Sequence, residues 1–280
     1  MHKAIIAAMA AASIIALGAC NKQGASNETA AGGNASAPAA AGDINGTWKA
    51  DINSVQFDTK PDDSLLQAGT YSCKSCTPAY SVPADGAFHP VSLPYADSDA
   101  VKVVDDHTIV ETSKKGGTQV GEATTPVSAD GNTSTTKFTD TSAPGAPATG
   151  EFTETRVGPA PAGAHVVSGQ WKPAKLANFN DAALTFTVNV SGDTYKSSSP
   201  DGTSFEAKIG GGEVPINGDI AKTTVSVAKS GDNGYAVTRK RDGKVVGVTT
   251  YTVGADGKLN AVNENKMNGS TTRWSADKQS

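Results

Sequence analysis

The chain repeats itself. Ile44-Asn45-Gly46-Thr47-Trp48-Lys49 returns as Val167-Ser168-Gly169-Gln170-Trp171-Lys172, Phe57 returns as Phe179 and Tyr71 as Tyr195, all in the same order. Further on, Lys115-Gly116-Gly117 matches Arg241-Asp242-Gly243, and Val127-Ser128-Ala129-Asp130-Gly131 matches Val253-Gly254-Ala255-Asp256-Gly257. The offset stays between 122 and 126 residues up to Gly131, and the copies close alike, with Gly150-Glu151-Phe152-Thr153-Glu154-Thr155-Arg156 against Gly269-Ser270-Thr271-Thr272-Arg273-Trp274. A fold for this chain must therefore be buildable twice, from units of about 110 residues.

Within a unit the apolar residues recur every second position. Leu184, Phe186, Val188 and Val190 alternate with Thr185, Thr187 and Asn189, and Val225 and Val227 alternate with Thr224 and Ser226. That period belongs to strands that bury one face. Tight turns separate them at Asp85-Gly86, Gly116-Gly117, Asp130-Gly131, Asp201-Gly202, Asp242-Gly243 and Asp256-Gly257, where positive φ permits hairpins. The prediction is an all-β protein of two tandem antiparallel meanders, with a short helix only near 176–184. A meander exposes two edges unless its first and last strands meet, so each unit is expected to close into a small barrel.

Five segments follow: 1–19, 20–43, a first barrel-like repeat over 44–157, a linker over 158–166 and a second repeat over 167–280. The linker assignment rests on Gly158-Pro159-Ala160-Pro161-Ala162-Gly163, because proline lacks the amide a sheet interior requires. Ser142-Ala143-Pro144-Gly145-Ala146-Pro147 has no counterpart in the second unit and reads as a long hairpin loop.

Gly-x-Trp in the first strand with Arg in the last resembles the signature of lipocalins, fatty-acid-binding proteins and their calycin relatives. The resemblance implies a cation-π contact closing each barrel, Arg156 over Trp48 and Arg273 over Trp171, and room for a small apolar ligand. A tryptophan anchoring the core of any meander is the plainer reading of the same residues.

The N-terminus carries an address. Met1-His2-Lys3, a mostly Ala, Ile and Leu run over 4–17, and Leu17-Gly18-Ala19-Cys20 resemble a bacterial lipoprotein signal with its lipobox. The resemblance implies removal of 1–19, acylation of Cys20 and a permanent membrane anchor. Asn21, in place of an aspartate, favours the outer membrane facing the periplasm. Residues 20–43 are largely Ala, Gly, Ser and Asn, which suits a flexible tether of roughly 25 Å reach.

With Cys20 assigned to lipid, Cys73 and Cys76 are left as an even pair in an oxidising compartment, where a structural disulfide is expected ahead of a redox dithiol. Zinc on Cys73, Cys76 and His89 would lack a fourth ligand. His107 falls in a turn and His165 in the linker, and no catalytic, metal or cofactor-binding set stands out. A net charge of −4 argues against nucleic acid as partner. The sequence thus supports a non-enzymatic, lipid-anchored envelope protein holding a small apolar ligand. A structural or protein-interaction module with solid barrels is the alternative, and a thiol-disulfide protein the third.

Overall fold

The computed structural model describes residues 43–280. In chain order the strands are β1 (Gly46–Ala50), β2 (Gln56–Asp58), β3 (Asp62–Gln67), β4 (Thr70–Cys73), β5 (Tyr80–Pro83), β6 (His89–Leu93), β7 (Ala96–Asp105), β8 (Thr108–Lys115), β9 (Thr118–Pro126), β10 (Thr133–Asp140), β11 (Ala148–Val157) and β12 (Gly169–Ala177). One turn of helix, α1 (Asp181–Leu184), precedes β13 (Thr185–Ser191), β14 (Thr194–Ser198), β15 (Ser204–Lys208), β16 (Val214–Pro215), β17 (Thr224–Lys229), β18 (Gly234–Arg241), β19 (Lys244–Val253), β20 (Leu259–Asn265) and β21 (Thr271–Lys278). They form two nearly closed antiparallel barrels of ten strands each, and β2 adds a short ladder on β21. The turn glycines 86, 117, 131, 202, 243 and 257 all have positive φ.

The sheets do not follow the repeat boundaries. The first barrel runs β5-β4-β3-β12-β11-β10-β9-β8-β7-β6, and the second β15-β14-β13-β1-β21-β20-β19-β18-β17-β16. Each Gly-x-Trp strand completes the other repeat's barrel: β12 lies between β11 and β3, and β1 between β13 and β21. Residues 158–166, expected to link two domains, instead join neighbouring strands of the first barrel. The barrels are connected by 51–61 and 178–184. The physical reason is local. After β11 the chain turns through Gly158 and Gly163, both at positive φ, and the next strand pairs with its immediate predecessor at the lowest loop-closure cost. With that place filled, β1 occupies the equivalent gap in the second barrel.

The exchange re-pairs the tryptophans. Trp171 packs with Leu66, Tyr71 and Val101 in the first barrel, and Trp48 with Phe186, Val188 and Trp274 in the second. The expected pairs of Trp48 with Arg156 and Trp171 with Arg273 are not formed. Arg156 lies 4.1 Å from the centre of the Trp171 ring, and Lys278 lies 5.4 Å from that of Trp48. Register explains both, since Arg156 faces Trp171 across β11 and β12 and Lys278 faces Trp48 across β21 and β1. Arg273 is exposed, because its neighbour Trp274 takes the inward side of β21.

The two tryptophan corners are built alike. Trp48 Nε1 donates to the Ile44 carbonyl and Trp171 Nε1 to that of Val167, each at 2.8 Å. Gly46 and Gly169 have φ of +128° and +117°, and a Cβ would fall 2.6 Å from Lys278 Cε in one and 2.8 Å from Arg156 Nη1 in the other. Glycine is therefore required so that the cation can cross the strand to reach the indole. Gly169→Ala should cost the first barrel about 1–3 kcal/mol through backbone strain and displacement of Arg156. An unchanged denaturant midpoint would contradict this.

Candidate functional site

Where the barrels meet, a cavity of about 360 Å³ opens into the second barrel and reaches the mouth of the first. The second barrel supplies inward residues of its strands: Phe186 from β13, Tyr195 from β14, Phe205 from β15, Val237 and Arg239 from β18, and Tyr251 from β19. The first supplies Asp62 at the start of β3, Cys76, Tyr95 between β6 and β7, and Asp140 at the end of β10. The unmatched loop of the first unit straps the entrance. Gly145 N donates to the Asp201 carbonyl at 2.6 Å and Ala146 N to that of Pro200 at 3.0 Å, while Ser142 and Ala143 line the opening.

On the second-barrel side Tyr195 and Arg239 carry buried polar atoms without partners among the described residues. Tyr195 is 0% exposed, yet its Oη has no hydrogen-bond partner among the described residues. Burial, with Tyr251 and Tyr235 beside it, holds that phenol well above its usual pKa. Arg239 Nε is likewise buried and unpartnered. Burial lowers the Arg239 pKa, with Tyr251 and Asp219 opposing, but a guanidinium keeps its charge at any ordinary pH. Tyr251 is pushed up to about 12 by burial against the pull of Arg239. Such orphaned donors cost several kcal/mol in a dry interior, so a polar partner entering the cavity gains what the protein withholds.

The first barrel's interior is instead filled by its own polar side chains. Asp99 accepts from Ser113 Oγ and, at 3.0 Å, from Tyr80 Oη, and Thr125 and Thr136 share a hydrogen bond of 2.9 Å. Glu154 accepts from Ser134 Oγ at 3.4 Å. Burial and the neighbouring Asp62 carboxyl raise the Glu154 pKa, and burial raises that of Asp62. Two carboxyls in one buried site cannot both ionise cheaply, so the pair keeps a proton near neutrality.

Several residues singled out in the sequence lie elsewhere. Cys20 lies outside the described residues. Cys73 and Cys76 come together at disulfide distance, with Cα atoms 5.4 Å apart, at the end of β4 where Cys76 borders the cavity. His89 Nε2 is 2.9 Å from Asp85 Oδ1. His107 bonds the Val127 carbonyl and His165 the Asp105 carbonyl, so both act as loop ties. No group of three or more His, Cys, Asp or Glu among the described residues is placed to hold a metal. Sequence reasoning missed Asp62, Glu154 and Arg239. A signal for the last was present: counting by twos from Tyr235 and Val237 places Arg239 and Arg241 on the inward face of β18. No family model matches this chain, and neither does any curated protein or solved structure.

Proposed function

We propose that this is a non-enzymatic, lipid-anchored envelope protein that holds a small, largely apolar molecule in the cavity between its barrels. The observation that carries the reading is Arg239 with Tyr195: residues with buried polar atoms that lack partners among the described residues, lining the same cavity as Phe186, Phe205 and Val237. Ligand sites commonly combine an apolar wall with a few convergent polar groups. Anchoring through Cys20, on the outer membrane facing the periplasm, follows from the lipobox resemblance and frees the barrels from membrane binding. A solid-packed structural role is favoured for the first barrel alone, because Tyr80 bonds Asp99 and Thr125 bonds Thr136 in its interior.

Native mass spectrometry of the full chain released from detergent should show a bound small molecule, and Arg239→Gln should lose it or weaken it by about tenfold or more. Ligand-free mass together with failure to take up apolar dyes would overturn the proposal.

A further inference from the structure

The two ends of the cavity make opposite electrostatic demands. At the second-barrel end, the Nε atoms of Arg239 and Arg241 are buried without a hydrogen-bond partner among the described residues, and Arg241 Nη2 donates to Thr223 Oγ1 at 3.3 Å. The aspartates nearby are committed to their own turns. Asp219 accepts from Ala221 N and Thr223 N, and Asp201 from Thr203 N and Oγ1. What this end lacks is an acceptor for the guanidinium.

At the first-barrel end no salt bridge from a described residue reaches Asp62 or Asp140. Asp62 lines the cavity beside Glu154, and Asp140, on the same side, accepts only from Ser142 N at 2.8 Å. Lys60 is exposed at the rim. Tyr95 also lines the cavity, and burial raises its pKa, with Asp99, Glu111 and Asp140 adding to the shift and Arg241 opposing it. The same cavity is lined by Phe57, Phe186 and Phe205.

We propose that the occupant carries separated opposite charges on an apolar body, its anionic group held at Arg239 and its cationic group at Asp62 and Asp140. An ω-aminocarboxylate is the simplest member of that class. This rests on the ligand-binding reading above and narrows it. A plain carboxylate satisfies Arg239 but leaves the acidic end without a counter-ion. A plain amine does the reverse and brings no acceptor to the Arg239 Nε, which the protein leaves unpartnered. A dipolar molecule supplies both ends at once, and discrimination against singly charged analogues arises from the charge that each would leave unpaired.

The test is calorimetric titration of the full chain in lipid nanodiscs, with empty discs as the control. The probes are octanoate, octylamine and ω-aminooctanoate, and the same three head arrangements on a dodecyl body. The expected result is that the ω-aminocarboxylate of one length binds about tenfold or more tightly than the carboxylate of equal length, and that Asp62→Asn or Asp140→Asn removes this advantage. The comparison in the unaltered chain stands even where a variant fails to fold. Equal or tighter binding of the plain carboxylate at both lengths overturns the inference and leaves the ligand-binding proposal intact. So does an advantage that survives in both aspartate variants, or a retained endogenous molecule displaced by none of the probes. Absence of both probe binding and endogenous ligand brings down the ligand-binding proposal itself.

Discussion

Trp48→Ala will open the second barrel and leave the first standing, although Trp48 lies in the first repeat. The indole is 1% exposed and belongs to the core of Phe186, Val188, Tyr195 and Trp274. Truncation removes that packing, the hydrogen bond to Ile44 and the ring beneath Lys278. A buried tryptophan cut to alanine costs about 3–5 kcal/mol. The loss is concentrated because β1 has five residues and is the only strand between β13 and β21. Hydrogen exchange should show protection falling in β13, β20 and β21 while β7 to β10 stay protected. Trp171→Ala should give the mirror result. If Trp48→Ala exposes the strands over 62–157 instead, the exchange of strands is wrong.

The repeat, the all-β class and the turn positions were legible because each rests on local chemistry. Asp-Gly dipeptides need positive φ at their glycines wherever they sit, and Phe186, Val188, Val225 and Val227 alternate with polar residues because water lies on one side. The strand exchange was not legible. Ile44 to Lys49 and Val167 to Lys172 form the same corner with the same indole bond, so either strand suits either barrel. Only the connections decide, and the loop between β11 and β12 favours pairing with the nearest neighbour. Aligning the repeats by Arg156 and Arg273 also misled, because the register makes Lys278 the counterpart of Arg156.

The site was hidden for a different reason. Sequence patterning assumes that inward means apolar, and both barrels break that rule. On β10, Ser134 and Thr136 point inward and are buried, yet Thr133 to Thr136 reads as polar on both faces. On β18, Thr238-Arg239-Lys240-Arg241 reads as a solvated basic run until it is counted from Val237. Departures from local consistency concentrate where a protein holds something or stores a charge; Arg239 and Arg241 border the cavity, and Ser134 lies beside the buried Glu154 carboxyl.

Glu154→Gln should make the protein more stable in alkaline solution and change it little in acid. Glu154 is 4% exposed, and burial followed by the Asp62 carboxyl drives its pKa up to about 8. A carboxyl whose pKa is raised by folding binds its proton more tightly folded than unfolded. Its contribution is full below the ordinary glutamate range near pH 4.5 and is lost as pH rises through about 8. Above that range the folded barrel must hold a second buried negative charge or unfold. Each pK unit of difference is worth about 1.4 kcal/mol, so the loss between pH 5 and 9 is on the order of 4 kcal/mol. Glutamine keeps the shape, cannot ionise and can donate to Asp62. Urea midpoints measured across this range should converge near pH 5 and separate toward pH 9, with the variant the more stable. Parallel profiles for the two proteins would show that Glu154 does not hold the shared proton, and the first barrel's interior would then owe its stability to the Asp99, Ser113 and Tyr80 network alone.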